Sequence, residues 1–551
     1  MTKISLIFTA TIAIFQIAGC GNDSGTNPET ITFNQTAQSS GNSDFISDHF
    51  SGSGNCSKCH NDIRDKNLKD VSIITDWSSS MMANSARDPF WQAKVRSEIN
   101  RTPSLENLIN DKCTRCHAPM ANEAIKKLDQ TISVFSEGIL DSSNNYHDEA
   151  MDGVSCTLCH QISNTATLGS NISFSGGFDI NDSKYIYGPF DNPITAPMVN
   201  QTGYTPVYSS HIRESKVCAT CHELKTPYVD AEGTLLSKTS DDEFPEQTPY
   251  SEWLNSDYKD HKSCQSCHLS RTDGVIIASR PTTISTLRND FAIHDFIGAN
   301  KMMLNILDKY RDQLGVISNN FAETIHKTEN MLAGSSEIKL EQSTLMNGIL
   351  TFDLKISSNT GHKLPTSYPS RRIIVHTRIT DSRGKVIFES GKVNDNGSVE
   401  YLDSDENPLS FEPHYRQITS AEQVQVYESI MANSDDQVTY TLLRAKEYKK
   451  DNRILPNGFD KQSAGKDIAV KGIAFTDDDF IAGSDQLQYQ ISGLNDEQYK
   501  VEVELLYQAI GYAFAQDLFK ETDAVVSDFK KMYDASDFKA VRMAAIEFTA
   551  Q

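Results

Sequence analysis

The chain has 551 residues, which is enough for two or three domains. Its formal net charge of −23 at pH 7 argues against binding to nucleic acid and against electrostatic attraction to anionic lipid. An acidic surface keeps a protein soluble and can steer basic partners toward it.

The first residues have the features of an export signal. Lys3 precedes an apolar run over residues 4–18, which is short for a membrane-spanning helix but suits a signal peptide. The run ends in Ile17-Ala18-Gly19-Cys20, which resembles a bacterial lipobox, where the cysteine is acylated and becomes the mature first residue. Gly21, in place of Asp, is typical of sorting to the outer membrane. We predict a lipoprotein signal peptide over residues 1–19 and a lipid anchor on Cys20; cleavage nearby by an ordinary peptidase, with loss of Cys20, is the alternative.

The next segment, residues 20–48, is rich in Ser, Asn, Thr and Gly and shows almost no apolar periodicity. Such a composition predicts a flexible tether between the lipid anchor and the folded body.

The pattern Cys-x-x-Cys-His then occurs five times. The spacing suits c-type haem, where two thiols form thioethers to the porphyrin and the adjacent histidine reaches the iron. A redox dithiol or half a zinc site would not require the histidine. We therefore predict five covalent haems. The motifs are motif 1 (Cys56, Cys59, His60), motif 2 (Cys113, Cys116, His117), motif 3 (Cys156, Cys159, His160), motif 4 (Cys218, Cys221, His222) and motif 5 (Cys264, Cys267, His268).

The motifs lie in a segment, residues 49–283, that has few long apolar patterns and many polar residues. Ordinary side chains would make a thin interior here, and five porphyrins supply the missing apolar bulk. The irregular spacing of the motifs argues against a solenoid repeat. We predict a haem-packed domain of short helices and irregular loops.

Two further segments differ in the period at which their apolar residues recur. Over residues 284–336, apolar residues from Phe291 to Tyr310 recur at intervals of three and four, which predicts a helical hairpin. Residues 349–356, 423–427 and 499–505 alternate in polarity, and turn sequences separate such strands. Residues 337–551 are therefore predicted to form an antiparallel β-sandwich-like domain with helices after Gln508. The fold class is α+β, with several domains.

Each haem iron has a second axial position, whose occupant decides between electron transfer and catalysis. Nine histidines lie outside the motifs, and two methionines, Met81 and Met82, stand in a polar stretch. A thioether ligand raises haem potential relative to imidazole, whereas packing against a porphyrin is the alternative role for a methionine. Among the histidines the strongest candidates from position alone are His147, His211 and His294, with His49 weaker because it lies beside the tether.

The surroundings of the motifs resemble multihaem cytochromes of the cytochrome c-552/c-554 type, which are exported electron carriers. The matches are residues 153–160, residues 210–224, and Glu252-Trp253 leading into motif 5. Residues 77–83 resemble the family's Trp-x-x-Ser-x-His-Ala element, with Met82 where a distal histidine often stands. The resemblance therefore implies Met82, in preference to Met81, as a distal ligand.

Three later elements are similar to recurring segments of multihaem cytochromes: residues 294–300, residues 359–372 and residues 450–456. In the first of these, His294 matches a distal ligand. The other two imply that the β-domain belongs with the haems and that His362 reaches back to one of them. The predicted distal candidates are thus Met82, His147, His211, His294 and His362.

The sequence favours electron transfer through five haems on the periplasmic side or outside the cell, with redox proteins or an extracellular acceptor as partners. The alternative is a multihaem reductase or oxidase of a small nitrogen or sulfur compound at one open-faced haem. Pentahaem nitrite reductase has a lysine in place of one motif histidine, and no Cys-x-x-Cys-Lys occurs here. A third reading makes the β-domain a docking module supplied by the haems.

Overall fold

The computed structural model describes residues 31–495 and 498–550. Residues 31–33 belong to an N-terminal unit that ends at Phe33, and Asn34 to Gln551 form a second unit. The predicted signal peptide, Cys20 and the tether up to residue 30 lie outside the described residues. Within the described ranges, no helix has the length and apolar character needed to cross a membrane.

Residues 34–48 fall in the predicted tether, and in the structure they lie along the folded body with little regular structure. The backbone N–H groups of Asn34 and Gln35 donate to the Asp528 carboxylate at 2.8 and 2.9 Å. The buried Arg87 guanidinium donates to the Ser40 carbonyl at 2.6 Å. A polar composition predicts flexibility only where the backbone finds no partners, and this stretch finds them.

The N-terminal half contains short helices and small strand pairs joined by loops. Its helices are α1 (Ser53–Ser57), α2 (Ile73–Ser78), α3 (Pro89–Arg101), α4 (Glu106–His117), α5 (Pro119–Lys126), α6 (His147–Met151), α7 (Cys156–Cys159), α8 (Ala196–Thr202), α9 (Ser215–His222), α10 (Pro249–Leu254) and α11 (Cys264–His268). Its strands are β1 (Tyr185–Gly188), β2 (Thr205–Tyr208), β3 (Leu224–Thr226), β4 (Phe244–Gln247), β5 (Arg271–Thr272) and β6 (Phe291–Ala292). Motifs 2, 4 and 5 each end a helix, which places the motif histidine at its last residue.

The longest of these helices, α3, shows how local sequence directs the fold. Asp88 caps it by accepting hydrogen bonds from the N–H groups of Phe90 and Trp91, and Pro89 occupies the first helical position. Trp91, Val95 and Ile99, four residues apart, lie in one buried apolar cluster.

The predicted helical hairpin begins later than the sequence suggested. The helices are α12 (Lys301–Lys309), α13 (Arg311–Leu314) and α14 (Phe321–Gly334). Residues 293–300 are not helical, so the prediction of a helix around His294 was wrong. The Ile293 N–H donates to the Ser270 carbonyl at 2.8 Å and the Ile297 N–H to the His268 carbonyl at 3.0 Å. These bonds hold the segment alongside motif 5.

The C-terminal part contains β7 (Ser336–Met346), β8 (Ile349–Ser358), β9 (Arg372–Asp381), β10 (Val386–Ser390), α15 (Asp403–Glu406), β11 (Gln417–Ile418), β12 (Val426–Ala432), β13 (Glu447–Asp451), β14 (Ser484–Ser492), β15 (Tyr499–Gln508), α16 (Tyr512–Leu518), α17 (Ala524–Asp534) and β16 (Val541–Ala550). In the described residues one sheet has the order β13-β12-β9-β15-β16, with β10 beside β9, and another has the order β11-β14-β8-β7. The pairs are antiparallel except for β11 and β14, which are parallel over two residues.

The two sheets share one apolar core. Alternate residues of β8, including Phe352, Leu354 and Ile356, are fully buried, as are Val501 and Val503 of β15. This alternation is the period-2 pattern of strands with one face in a core. The mixed helix and sheet content and the antiparallel sheets agree with the predicted fold class. The tail forms the two helices expected after Gln508 and then adds β16, an edge strand that sequence analysis did not predict.

Candidate haem-binding site

One connected cavity of about 1170 Å³ runs through the N-terminal half. All ten motif cysteines and all five motif histidines line it. The wall continues onto the C-terminal part, where His362, Tyr368 and Tyr507 contribute. The ten cysteines are free thiols, so none of them is used in a disulfide.

The thiols show which motifs are neighbours. Cys56 of motif 1 lies close enough to Cys156 of motif 3 for each thiol to shift the pKa of the other. Motif 4 has two such contacts, from Cys221 to Cys116 of motif 2 and from Cys218 to Cys264 of motif 5. These contacts join motif 1 to motif 3, motif 2 to motif 4, and motif 4 to motif 5.

Proximity among the histidines gives the same order. A positive charge on one ring would lower the pKa of the next, and the pairs are His60 with His160, His222 with His117, and His268 with His222. The link between motifs 3 and 4 comes from the thiols, because a charge on Cys221 would raise the pKa of Cys159, so the two thiols lie close together. The five motifs therefore form one branched array, in which motif 4 contacts motifs 2, 3 and 5 and motif 1 extends from motif 3.

Backbone carbonyls orient four of the motif histidines. A carbonyl oxygen only accepts, so the bonded Nδ1 carries the proton and Nε2 keeps its lone pair, which is the tautomer that binds metal. The pairs are His60 with Ile277 at 2.7 Å, His117 with Ser85 at 3.1 Å, His160 with Tyr187 at 2.6 Å and His268 with Ile297 at 2.7 Å.

Burial favours the neutral form of two motif histidines, and this is the form of imidazole that binds a metal. It lowers the pKa of His117 and of His222 to about 4, so both imidazoles are neutral at pH 7. Burial also raises the pKa of the Cys113 thiol, so this sulfur is protonated at pH 7.

Two further histidines face motif histidines across the cavity. The ring centres of His294 and His160 are 6.3 Å apart with the planes at 24°, and those of His362 and His268 are 6.3 Å apart at 16°. Two imidazoles on opposite sides of one metal, with metal–nitrogen bonds of about 2 Å, would have ring centres roughly 6.4 Å apart. Nδ1 of His294 donates to Ala292 and Nδ1 of His362 to Lys363, each at 2.9 Å, so Nε2 is unprotonated in both.

The remaining distal candidates lie in different surroundings. Met82 lines the cavity, as does Met81, and Met82 packs in an apolar cluster with Cys159 and Cys221. The structure does not bring His211 to the cavity wall, since its Nε2 bonds the Ile162 carbonyl at 2.9 Å and its Nδ1 bonds the Ser209 hydroxyl at 2.7 Å.

His147 is also absent from the cavity wall, but only one of its two ring nitrogens is hydrogen-bonded among the described residues. Nδ1 donates to the Ile139 carbonyl at 2.9 Å, while the buried Nε2 has no hydrogen-bond partner among the described residues. His49, the weaker candidate, pairs with Asp182 at 3.1 Å away from the cavity.

The cavity wall also carries polar groups that sequence analysis did not identify. In the described part of the chain, Trp91 Nε1 and the hydroxyls of Tyr368 and Tyr507 are buried without a hydrogen-bond partner. Such donors suit the carboxylate groups of a porphyrin. Trp91 additionally stacks on His117, with ring centres 4.8 Å apart and planes at 7°. Together with the free thiols and neutral imidazoles, these residues fit covalently bound haem. Tyr368 lies within residues 359–372, the element that resembles a segment of multihaem cytochromes, so the sequence did contain a signal for this position.

A buried cluster in the C-terminal part, formed by His414, Asp477 and Asp485, has the residue types of a metal site. Nε2 of His414 lies 3.3 Å from an Asp477 oxygen and 3.8 Å from an Asp485 oxygen. However, the amide nitrogens of Gln425 and Asn452 both approach Nδ1 at 3.1 Å, so Nδ1 accepts and Nε2 carries the proton. A protonated Nε2 cannot bind a metal, and the cluster is therefore best described as a buried polar network.

Comparison with known proteins agrees with this site. The family model described as cytochrome c554 and c-prime matches residues 55–161, which include motifs 1 to 3. Over these residues the chain is similar to c-type cytochromes of that family. The fold is similar to that of a penta-haem cytochrome c552 from Thermochromatium tepidum, with a TM-score of 0.54, 16% identity, and coverage of 92% of this chain and 100% of that chain. No curated protein sequence matches the chain.

Proposed function

We propose that this protein transfers electrons through five covalently attached c-type haems, one at each Cys-x-x-Cys-His motif. The observation that carries the proposal is the single cavity that contains all five motifs as a connected array. Haem supplies one-electron chemistry when it is bound. The chain's own residues attach the groups, orient the motif histidines and exclude water from the array.

The ring geometry supports a proposal for the axial ligands. We assign His294 as the distal ligand at motif 3 and His362 as the distal ligand at motif 5, because each ring faces its motif histidine at 6.3 Å. Met82 remains a candidate near motifs 3 and 4, and the free Nε2 of His147 keeps it a candidate. His211 is the least supported of the five, since both of its ring nitrogens are already hydrogen-bonded.

For location, the proposal is an exported lipoprotein held by acylated Cys20, at the outer membrane, with its body on the periplasmic or outer face. The apolar run before Cys20 and the need of c-type haem for attachment outside the cytoplasm support it. Partners would be redox proteins or an extracellular acceptor, and the net charge of −23 favours partners with a basic contact surface.

A second candidate function is reduction or oxidation of a small nitrogen or sulfur compound at one open-faced haem. The observation that favours it lies near motif 2. Glu246 is buried at the cavity wall with its pKa raised to about 7 by burial, and the Tyr368 hydroxyl is unpartnered among the described residues. A charge on Glu246 would raise the pKa of both Tyr368 and Cys113, so the three groups lie close together. Glu246 and Tyr368 can each donate a proton in a reduction.

Two measurements on the purified mature protein test these proposals, and the second of them separates the two functions. We expect its mass to exceed that of polypeptide plus lipid by five haems, and the haem-to-protein ratio to be five. A colourless protein without added mass would contradict the proposal. Absorption spectra with carbon monoxide, nitrite or hydroxylamine then test for an open iron: unchanged Soret bands support electron transfer, whereas a shifted high-spin band supports the second candidate.

A further inference from the structure

Each histidine that faces a motif histidine is followed by a buried charged residue. Asp295 follows His294 and Lys363 follows His362, and these side chains are 1% and 0% exposed. Both charges are paired with residues from distant parts of the chain. The pairing is most extensive around Lys363.

Four charges form a closed network there. Lys363 Nζ lies 2.7 Å from an Asp451 oxygen, and the Arg453 guanidinium binds Asp451 through two bonds of 2.9 and 2.8 Å. Arg453 also lies 2.9 Å from an oxygen of Glu252. All four side chains are at most 5% exposed, and two positive charges balance two negative charges.

The network connects directly to the His362 imidazole. The second Glu252 oxygen accepts hydrogen bonds from the Lys363 backbone N–H at 3.1 Å and from the Thr366 hydroxyl at 2.5 Å. The carbonyl of the same Lys363 accepts the hydrogen bond from His362 Nδ1 at 2.9 Å. Glu252 therefore holds the residue whose carbonyl orients the imidazole.

The four residues come from three separate segments. Glu252 lies on α10 beside the cavity, Lys363 in the loop between β8 and β9, and Asp451 at the end of β13. Backbone bonds between Leu364 and Ile454, each at 2.9 Å, join the second and third segments. These segments are the family-like elements around Glu252, residues 359–372 and residues 450–456. The structure brings all three together at one histidine.

A role in stability alone does not explain the arrangement. Removing charges from water costs about as much as their attraction returns, and apolar residues of similar volume are often equally stabilising. Buried ion pairs do, however, favour one geometry over its alternatives. An axial imidazole requires such control, because its nitrogen must stay within bonding distance of one iron.

We propose that Glu252, Arg453, Asp451 and Lys363 are positioning residues that hold His362 in the orientation required for axial ligation at motif 5. The inference rests on the proposed function, specifically on haem at motif 5 with His362 as its distal ligand. We extend the same role to Asp295, which follows His294 and bonds Ser270, the residue whose carbonyl accepts from the Ile293 N–H. Its carboxylate accepts from the Ser270 N–H at 3.1 Å and from the Ser270 hydroxyl at 2.6 Å, and it pairs with Lys327 at 3.3 Å.

The test compares Glu252→Gln with a matched control in the holoprotein. The control is Asp405→Asn, which removes a carboxylate of equal burial (1% exposed) that binds Arg372 through bonds of 2.8 and 2.7 Å, away from the cavity wall. For Glu252→Gln we expect an unchanged haem content but conversion of one of the five haems from low spin toward high spin by electron paramagnetic resonance. Added imidazole should restore the low-spin signal. Asp405→Asn should keep the wild-type spin states.

A purely structural role predicts a different result. Both variants would then lower the unfolding temperature similarly while all haems keep their spin state and midpoint potential, and this outcome would overturn the proposal. If Glu252→Gln fails to accumulate, Thr366→Val removes one bond to Glu252 and should shift the potential of one haem only; an unchanged potential there would equally count against the proposal.

A further variant, His362→Ala, distinguishes a wrong positioning role for the network from a wrong assignment of His362 as the ligand. If His362→Ala leaves every haem unchanged, the assignment of His362 fails and the network loses its role with it. If His362→Ala converts one haem and Glu252→Gln converts none, the ligand assignment stands and the positioning role is wrong. Asp295→Asn should convert a haem different from the one affected by Glu252→Gln.

Discussion

A chain in which all ten motif cysteines are replaced by alanine is expected to lose the fold of its N-terminal half. The wall of the cavity of about 1170 Å³ is largely apolar, and without haem this surface would face water or empty space, which lowers the stability of the fold. Folded domains are stable by only about 5–15 kcal/mol. Since the apolar wall cannot close over such a volume, the fold of this half depends on the groups that fill it.

Circular dichroism and limited proteolysis of the variant and the holoprotein measure the effect. We expect rapid cleavage within residues 49–283 in the variant and protection in the holoprotein. The core of the two C-terminal sheets is built from side chains such as Phe352 and Val501 and serves as the internal control, since it should retain more structure. Equal protease resistance of residues 49–283 in both proteins would refute the dependence on haem.

The second large effect is expected at the distal histidines. Replacing His294 or His362 by alanine removes the imidazole that faces His160 or His268, and each change should convert one haem to a high-spin form that binds carbon monoxide. The double variant should convert two haems, because the two rings face different motifs. Electron paramagnetic resonance and carbon monoxide difference spectra give the number of converted haems.

A matched control for this prediction is His326→Ala, which removes a histidine of α14 whose side chain is 67% exposed. Its spectra should be those of the wild type. The assignment would be untenable if both cavity variants kept all haems low-spin and inert to carbon monoxide, as the control does. Conversion of the same haem by both variants would contradict the separate placement at motifs 3 and 5.

The local parts of this molecule could be predicted from sequence alone. Each Cys-x-x-Cys-His motif holds its proposed attachment and proximal-ligand residues within five positions, so no long-range contact is needed to recognise it. The alternating polarity of residues 349–356 and 499–505 likewise reports a strand with one buried face, and both became strands of the sandwiched sheets. Helical period was less reliable, because residues 293–300 satisfy their backbone by pairing with motif 5.

The placement of the proposed distal ligands could be read only from the tertiary structure. His294 follows motif 5 in the chain but faces His160 of motif 3, and His211 precedes motif 4 but bonds the carbonyl of Ile162. The order of the motifs in space also differs from their order in sequence, since motif 1 contacts motif 3 and motif 4 contacts motif 2. The proximal residues are covalent neighbours and are therefore set by the sequence itself. A distal residue is chosen by packing between segments far apart in the chain, which only the folded structure can bring together.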